Sequence, residues 1–476
     1  MKKPALIAID LGGESCRVSL LRWHRNRPNV QAIHRFANGP IGKNSHLCWD
    51  IRRIEEGIET GLRMCAAATD ESISAVGIDG WACDYVRIES NGEAVYDPFC
   101  YRDERTVEAE KQVHRIISRE KLYQLTGIQV LRFNTLYQLY ADQIDRRDEN
   151  HPWLNIPEFI MHRLGGQPVA EYTNATHTGL ISPETRSWLP QIFDETGLDA
   201  TAAHRIVPPG SVIGKLTAIK DCSELRKAQL IVPACHDTAS AIAGIPATDD
   251  DWAFISSGTW SLVGTLLDSP CVTPEAFAGN YSNLGGVGGN TCFLKNVNGM
   301  WLLTQCLSQW KSHGYELSLE DLFEGCSRLP APQHLLDVDD PEFLVPGDLP
   351  AVINAHQLRA GETAFCDDGR GIVGMVNLIL HSLAARYAHV LQEIIRITHK
   401  KIRRLYIVGG GSKNRFLNRL TAEWTGLDVA LGAAESSTIG NFAVQLAALH
   451  GDHSRTLGAN HLSVSMWAAE LLADRR

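Results

Sequence analysis

The stretch Ala5-Leu-Ile-Ala-Ile-Asp-Leu-Gly-Gly-Glu-Ser-Cys16 decides the fold of this 476-residue chain. An apolar run is followed by a small polar turn and then by a second apolar run at residues 17–22, a pattern that predicts a β-hairpin. The same device returns around Ser256-Ser-Gly-Thr-Trp-Ser261, between apolar residues 253–255 and 262–267. The two turns lie about half the chain apart, so we predict a duplicated architecture. Two unrelated hairpins are the alternative that this pattern leaves open.

Strand patterns alternate with helical patterns along the rest of the chain. Short apolar runs at residues 73–79, 230–234, 405–408 and 428–431 predict strands, whereas apolar residues at helical spacing over residues 374–400 predict a long helix. This alternation predicts an α/β sheet with helices on its faces. We place the boundary between an N-terminal lobe, residues 1–246, and a C-terminal lobe, residues 247–476. The Pro- and Asp-rich residues 329–361 predict an irregular surface excursion.

Composition excludes several classes of function. The 45 Lys and Arg against 55 Asp and Glu give a net charge of −10, and no uninterrupted basic block of five or more residues occurs, so a nucleic-acid partner is not expected. No apolar run approaches the roughly 18 residues of a membrane helix. Met1-Lys-Lys-Pro4 leads straight into a strand, so we expect neither secretion nor a membrane-spanning segment. The 12 Cys contain no C-x-x-C pair, which favours reduced thiols in a cytoplasmic protein without zinc.

The two polar turns have the composition of a phosphate site. Gly and Ser in a tight turn let backbone N–H groups converge on an anion, and two such turns could grip the phosphates of a nucleotide. Asp10, at the end of the first strand, would then hold Mg²⁺ directly or through water. Gly409-Gly-Gly411 follows a strand and allows a flat ring such as adenine to approach the backbone. An ordinary turn with an exposed Asp10 is the alternative.

His236-Asp237-Thr238 follows the strand predicted at residues 230–234. Open α/β sheets bind ligands at the carboxyl ends of their strands. A carboxylate there could accept the proton of a substrate hydroxyl as the hydroxyl attacks phosphorus. His236 and Thr238 would fix the substrate and the carboxylate. The alternative is that Asp237 only caps the helix that follows.

A second polar and aromatic group has the composition of a sugar site. Trp81 and Asp84 lie on a turn after the strand predicted at residues 73–79, and Tyr101-Arg-Asp103 follows soon after. The apolar face of a polyol stacks on an aromatic ring while its hydroxyls bond to polar groups. Asn296 is a further candidate for hydroxyl recognition. A core tryptophan and a structural salt bridge are the alternatives.

With these segments in view, the sequence resembles the FGGY carbohydrate kinases of the actin-like ATPase superfamily, and among them the kinases of L-rhamnulose. The resemblance covers most of the chain. It rests on Ile33-His-Arg-Phe-Ala-Asn-Gly39, Cys48-Trp-Asp50, Gly77-Ile-Asp79, Tyr101-Arg-Asp103, Phe133-Asn-Thr-Leu-Tyr-Gln-Leu139, Glu171-Tyr-Thr-Asn-Ala-Thr176, His236-Asp-Thr-Ala-Ser-Ala241, Ser256-Ser-Gly-Thr-Trp-Ser-Leu262, Val408-Gly-Gly-Gly411 and Ser437-Thr438. It implies a ribonuclease H-like fold of two duplicated lobes around a central cleft.

The resemblance also implies that ATP phosphorylates the 1-hydroxyl of L-rhamnulose, a 6-deoxyketohexose, with Mg²⁺ at Asp10 and Asp237 as the catalytic base. Closure of the lobes would exclude water. The substrate-binding residues expected are Trp81, Ala82, Asp84, Tyr101, Arg102, His236, Thr238 and Asn296. The ATP-binding residues expected are Gly12, Gly13, Glu14, Ser15, Cys16, Arg17, Gly258, Thr259, Thr304, Gly409, Gly410, Gly411 and Asn414. A cytoplasmic monomer or homodimer is expected.

The sequence departs from the pattern of these kinases at several positions. Glu14 stands where they carry Ser, and Cys16 stands where they carry Gly, a change that removes freedom in φ. Ala82 adds a methyl group at the turn of Trp81, where the sugar is expected to bind, and Thr304 replaces Gln. These departures keep two alternatives open. One is a kinase of L-fuculose, L-xylulose or a tetritol; the other is a sugar- and nucleotide-binding homologue with impaired transfer.

Overall fold

The computed structural model describes residues 3–147, 151–344, 347–451 and 458–473. The strands of the first half of the chain are β1 (Ala5–Leu11), β2 (Ser15–His24), β3 (Arg27–Ala37), β4 (Pro40–Lys43), β5 (His46–Trp49), β6 (Ile73–Gly80), β7 (Tyr85–Arg87), β8 (Trp153–Asn155), β9 (Ala170–Glu171), β10 (Ile181–Ser182), β11 (Ser187–Trp188), β12 (Ile206–Val207), β13 (Val212–Lys215) and β14 (Gln229–Ile231). Its helices are α1 (Ile51–Ala67), α2 (Thr106–Ile116), α3 (Arg119–Thr126), α4 (Thr135–Ile144), α5 (Ile156–Arg163), α6 (Tyr172–Ala175), α7 (Pro190–Thr196) and α8 (Asp237–Ala243).

The second half continues the alternation of strands and helices. Its strands are β15 (Trp252–Ser257), β16 (Trp260–Leu267), β17 (Ser282–Gly285), β18 (Thr291–Asn298), β19 (Arg404–Val408) and β20 (Asp428–Leu431). Its helices are α9 (Pro274–Ala278), α10 (Trp301–Ser312), α11 (Leu319–Ser327), α12 (Leu349–Arg359), α13 (Gly369–Thr398), α14 (Arg415–Thr425), α15 (Ser436–His450) and α16 (His461–Leu472).

The contacts between residues divide the chain into two compact units. The first unit comprises Met1–Thr248, Leu266–Phe293 and Glu435–Arg476, and the second comprises Asp249–Thr265 and Leu294–Ala434. The units therefore do not follow a single cut near residue 247. The C-terminal segment belongs to the first unit because α15 packs on β1 and β6, where Gln445 Nε2 donates to the carbonyl of Ile7 at 2.9 Å.

The sheet of the first unit has the strand order β13-β14-β6-β1-β2-β3. Strand β1 is antiparallel to its hairpin partner β2 and parallel to β6. Within the second unit the order is β18-β16-β15-β19-β20, and β15 is likewise antiparallel to its hairpin partner β16 and parallel to β19. Both predicted hairpins and the α/β class are confirmed. Strand β1 is almost wholly apolar because helices cover the sheet, and residues 5–9 are at most 2% exposed.

Helix α13 is long and apolar, and it starts five residues before the predicted helix because Asp368 caps it by accepting the N–H of Gly371 at 2.7 Å. Among the described residues it is the one helix long and apolar enough to cross a membrane by length and composition, but 78% of its apolar window is buried inside the protein. The hydroxyl of Tyr387 lies 2.7 Å from Ser261 Oγ and ties α13 to β16. Its apolar surface therefore serves the core of the second unit.

The expectation of an irregular surface excursion over residues 329–361 is wrong in part. Val338 and Phe343 are fully buried. Helix α12 follows, with Asp348 accepting the N–H of Ala351 at 3.1 Å and Pro350 in the first turn. Proline fits the first turn of a helix because the N–H that it lacks has no partner there. The Pro and Asp residues therefore mark a helix start as well as loops.

Candidate active site

Two carboxylates lie together at the carboxyl ends of β1 and β6. Asp10 and Asp79 are register partners in the parallel pair, which brings both to the same edge of the sheet. Helix α15 meets them one turn apart: Ser437 Oγ donates to Asp10 Oδ2 at 2.8 Å, and Asn441 Nδ2 donates to Asp79 Oδ2 at 2.6 Å. Asp79 is fully buried and the Asp10 side chain is 13% exposed.

The charges at this edge suit a divalent cation. Burial raises the pKa of Asp10, and the Arg17 guanidinium, 3.7 Å from Asp10 Oδ2, opposes that rise. Burial and the Asp10 charge together raise the pKa of Asp79 well above its usual range, which favours a neutral Asp79 beside an ionised Asp10. Within the described residues, Asp10 Oδ1 has no hydrogen-bond partner. Mg²⁺ prefers one or two carboxylates plus water and phosphate oxygens, so the site fits this ion.

The β1–β2 turn has the backbone of an anion site. In the part of the chain that is described, the N–H groups of Gly13 and Glu14 have no hydrogen-bond partner. Gly12 has no room for a side chain, since a Cβ there would lie 2.6 Å from the carbonyl oxygen of Ser15, whereas Gly13 would meet only an ordinary contact at 3.9 Å. The Glu14 side chain is exposed at the tip. The turn therefore presents free donors next to one acidic side chain.

Two residues predicted to bind phosphate have other partners. Cys16 pairs with Leu11 in the hairpin ladder, and its side chain is fully buried in the core, so its thiol is not exposed to a ligand. The expected loss of φ freedom has no cost, because Cys16 is not among the residues with positive φ. The guanidinium of Arg17 lies 3.0 Å from Glu435 Oε1, so its charge is directed at Asp10 and Glu435.

Asp237 is the first residue of α8, at the end of the segment that follows β14. His236 precedes the helix, and Thr238 Oγ1 donates to Asp237 Oδ1 at 3.1 Å. Asp237 is therefore not the cap residue of this helix. Its side chain is 38% exposed, and His236 Nε2 lies 3.4 Å from Oδ1. Burial around the carboxyl raises the pKa of Asp237 to about 6, and burial lowers the pKa of His236 to about 3.

Glu171 and Thr173 hold the backbone directly before Asp237. Glu171 Oε2 accepts the N–H of Cys235 at 2.9 Å, and Thr173 Oγ1 accepts the N–H of His236 at 3.3 Å. From the opposite side, the Gly80 N–H donates to the Cys235 carbonyl at 2.9 Å. Sequence reasoning quoted the motif of Glu171 but gave it no role. A carboxylate inside a buried polar stretch was the signal that could have found it.

A second buried carboxyl stands behind Glu171. Glu158 Oε1 accepts the N–H of Glu171 at 3.2 Å, and Glu158 Oε2 accepts Asn174 Nδ2 at 2.9 Å. Burial and the neighbouring Glu171 raise the pKa of Glu158 to about 8, and burial raises the pKa of Glu171 to about 7. At neutral pH one proton is therefore retained in this pair.

Asp84 organises the turn that contains Trp81 and Ala82. Its carboxylate is fully buried and accepts hydrogen bonds from four groups, Trp49 Nε1 at 2.6 Å, Gln138 Nε2 at 2.9 Å, and Trp81 Nε1 and the Tyr101 N–H at 3.1 Å each. The expectation that Asp84 binds sugar directly needs correction, because donors of the protein already surround it. It positions the indoles instead. Trp49, which sequence reasoning missed, packs on Trp81 with ring centroids 4.3 Å apart.

The other sugar-site candidates of the first unit lie around these rings. Tyr101 packs edge-on against Phe133, and the exposed Arg102 lies over the Tyr101 ring at 5.3 Å. Ala82 is half-buried on the turn. Next to it, Cys83 has a φ of 76°, and its carbonyl accepts Thr135 Oγ1 at 2.7 Å. This positive φ of a non-glycine residue is a local strain that the buried hydrogen bond holds in place.

In the second unit, the β15–β16 turn is fixed through its carbonyl groups. The N–H of Met300 donates to Gly258 at 3.0 Å, and that of Trp301 donates to Thr259 at 3.1 Å. The N–H of Thr259 itself has no partner within the described ranges. Thr304 is exposed on α10, and Asn296 is half-buried on β18.

The Gly409–Gly411 turn packs against the same hairpin. Gly409 has a φ of 81°, and a Cβ at Gly411 would lie 2.0 Å from Ser257 Oγ. A Cβ at Gly410 would meet nothing within 4 Å, so this exposed glycine faces open space. Asn414 differs from the expectation of an ATP contact: it is buried, and its Oδ1 caps α14 by accepting the N–H of Leu417 at 3.0 Å.

Comparisons with known proteins agree with this architecture. Residues 5–244 match the N-terminal domain of the FGGY family of carbohydrate kinases, and residues 253–449 match its C-terminal domain. A rhamnulokinase of Enterococcus faecalis is 35% identical over 452 residues, which cover 94% of this chain and 90% of that protein. A rhamnulokinase of Pectobacterium carotovorum is 38% identical and covers 93% of this chain and 88% of its own length.

Solved structures are similar in fold. The xylulose kinase of Lactobacillus acidophilus has a TM-score of 0.76 at 17% identity and covers 99% of this chain and 97% of its own. The Plasmodium falciparum glycerol kinase with ADP has a TM-score of 0.71 at 12% identity, and the match covers 93% of this chain and 89% of that kinase. These likenesses confirm the two-domain α/β fold, which is consistent with the actin-like ATPases. The two family matches span most of the sequence, and the chain therefore belongs to the FGGY family of carbohydrate kinases.

Proposed function

We propose that this kinase transfers the γ-phosphoryl group of ATP to the 1-hydroxyl of L-rhamnulose, with Asp237 as the general base. The observation that carries the proposal is Asp237 itself, a partly exposed carboxylate at the start of α8 whose pKa is raised by burial to about 6. The curated relatives named rhamnulokinase, at more than 30% identity over most of the chain, support L-rhamnulose as the sugar. A cytoplasmic location is part of the proposal.

In this reaction Asp237 accepts the proton of the sugar hydroxyl as that oxygen forms a bond to the γ-phosphorus. The bond from the γ-phosphorus to the bridging oxygen breaks, and ADP leaves. A base with a pKa of about 6 is ionised at pH 7.5 and still receives a proton readily. Thr238 and His236 lie beside the carboxylate and orient it.

The sugar would stack on Trp81, which Asp84 and Trp49 hold in position, with Tyr101 and Arg102 as hydroxyl partners. A 6-deoxy sugar has a methyl group, so an aromatic surface suits it. Ala82, half-buried on the same turn, would place its methyl group beside the sugar.

ATP would bind through backbone groups and a cation. In the first unit, the free N–H groups of Gly13 and Glu14 are the proposed phosphate donors. In the second unit, the free N–H of Thr259 is a proposed phosphate donor, and Gly410 leaves open space that suits adenosine. Asp10 would hold Mg²⁺ with water in between or directly. When bound, Mg²⁺ neutralises phosphate charge. The unstrained backbone of Cys16 argues against one of the two grounds for an impaired homologue, whereas the exposed Glu14 still lies beside the free N–H groups of the turn.

A coupled assay of ADP release with MgATP tests the proposal against L-rhamnulose, L-fuculose, L-xylulose, L-ribulose, D-xylulose, glycerol and erythritol. Selective turnover of L-rhamnulose is the expected result. Turnover of another sugar would replace the substrate and leave the base assignment standing.

The Asp237→Asn variant tests the base. It should lose transfer by at least about 100-fold while nucleotide binding, measured by calorimetry, stays within about twofold. Unchanged turnover in this variant would refute the assignment of Asp237.

A further inference from the structure

His177 contacts His236 through the ring nitrogens. It lies on a short 3-10 turn, Thr176–Thr178, where its own carbonyl accepts Asn134 Nδ2 at 3.0 Å. His177 Nε2 is 3.0 Å from His236 Nδ1, and the two rings meet edge to face with centroids 4.0 Å apart. The other ring nitrogen of His236 faces Asp237 Oδ1 at 3.4 Å. The three side chains therefore form a row from His177 through His236 to Asp237.

The row determines which nitrogens carry protons. Burial lowers the pKa of both histidines, so each ring is neutral and has one N–H and one acceptor nitrogen. An ionised Asp237 favours the N–H of His236 on Nε2, because a lone pair there would repel the carboxylate. Nδ1 of His236 is then an acceptor, and the contact at 3.0 Å requires His177 to donate from Nε2.

We propose that His177 is a positioning residue of the phosphoryl transfer: it fixes the ring orientation and tautomer of His236, so that an N–H faces the base Asp237. The inference rests on the proposed function, because His177 would position the histidine that faces the proposed base. Without a donor at position 177, His236 Nδ1 is buried and unpaired, and the ring can carry its proton there instead. A lone pair then faces Asp237, which destabilises the ionised carboxylate and leaves its orientation unsupported.

Two variants separate donation from packing. His177→Gln keeps an N–H donor of similar reach, whereas His177→Phe keeps a ring without a donor. His114→Phe is the matched control, because His114 is also part-buried and its Nε2 contacts the Tyr137 hydroxyl at 2.9 Å, away from Asp237. The readouts are kcat, both KM values and the pH dependence of kcat. Asp10 and Asp79, the other acidic groups that interact with Asp237, are unchanged in all three variants.

We expect His177→Phe to lower kcat about 10-fold or more and to move its acidic limb upward in pH, with the KM for ATP within about twofold. His177→Gln should retain kcat within about threefold, and His114→Phe should resemble the parent. Equal kcat values for His177→Phe and His177→Gln would overturn the proposal. So would a change confined to KM.

The tautomer itself is measured by ¹⁵N–¹H correlation on the kinase with ¹⁵N-labelled histidine, with His236 assigned by the loss of its signals in His236→Gln. We expect an Nε2–H tautomer of His236 in the parent. An Nδ1–H tautomer would overturn the inference even if the enzyme phosphorylates L-rhamnulose. Conversely, absence of turnover on every ketose would refute the proposed function, and the spectrum would still show whether His177 donates a hydrogen bond to His236.

Discussion

Glu171 accepts the backbone N–H of Cys235 at 2.9 Å across 64 residues of sequence, and this bond fixes the backbone two residues before Asp237, the proposed base. The backbone before Asp237 is bonded on both sides. The Cys235 carbonyl accepts the Gly80 N–H, while Glu171 and Thr173 accept the N–H groups of Cys235 and His236. Asp237 therefore starts α8 from a backbone that cannot shift without breaking buried hydrogen bonds. Such bonds cost about 1–3 kcal/mol each when one partner is lost.

The Glu171→Gln variant should lower kcat by about 10-fold or more and leave nucleotide binding within about twofold. One end of the amide carries hydrogens, so it would oppose the N–H of either Cys235 or Thr173, both of which Glu171 now accepts. Glu158→Gln is the control, because the amide of Asn174 can turn to pair with it. Steady-state kinetics and calorimetry measure the two effects, and equal kcat for both variants would contradict the role of Glu171.

Stability should depend on pH through Glu158. Its pKa is about 8 in the folded protein, above the ordinary value of 4.5, so the folded state binds the proton more tightly. This contribution is complete below pH 4.5 and is lost as pH rises toward 8, with a slope of about 1.4 kcal/mol per pH unit. Denaturant unfolding of Glu158→Gln should show a shallower fall of the free energy of unfolding over this window. Identical slopes in the two proteins would exclude the protonated carboxyl.

The pH dependence of kcat should report Asp237. With a pKa of about 6, the carboxylate is ionised above that pH, so kcat should fall about tenfold per unit below pH 6. Thr238→Val should move this limb upward, because the Thr238 hydroxyl donates to the carboxylate and lowers its pKa. Rates at saturating MgATP between pH 5 and 8.5 provide the measurement. A flat profile down to pH 5 would show that another group is the base.

Gly411 and Gly410 form a matched pair for testing the glycine turn of the second unit. Gly411→Ala places a methyl group against Ser257 and should destabilise the ligand-free protein by about 1–3 kcal/mol. Gly410→Ala meets no protein atom and should leave ligand-free stability unchanged, but it should weaken nucleotide binding if adenosine uses this space. Thermal unfolding without nucleotide and calorimetry with it separate the two effects. A similar loss of ligand-free stability in both variants would contradict the packing described.

Glu14→Ser should strengthen ATP binding about two- to fivefold, because it removes an exposed carboxylate beside the free N–H groups of the β1–β2 turn. The gain should shrink with added salt, since the repulsion is exposed to solvent. Glu14→Gln removes the charge at nearly constant size and should give a similar gain. Unchanged nucleotide affinity in both variants would mean that Glu14 points away from the phosphates.

Local patterns predicted the elements that carry the site. The two hairpins, the strand before Asp79, helix α13 and the glycine turn at Gly409 were all predictable, because alternation, helical spacing and turn chemistry act over a few residues. The position of Asp237 at the end of an apolar segment was predictable for the same reason. The family resemblance added roles that such patterns do not contain.

The sequence by itself determined the α/β class, the repeated hairpin, and the residue types available for phosphate, sugar and proton transfer. Only the tertiary structure decided that Asp84 holds two indoles, that Cys16 belongs to the core, and that Glu171 and His177 contact the two residues before Asp237 from about 60 residues away. It also decided that α15 completes the first unit. The physical reason is that a buried polar side chain takes whichever partners the packed elements bring to it, and those partners are distant in sequence.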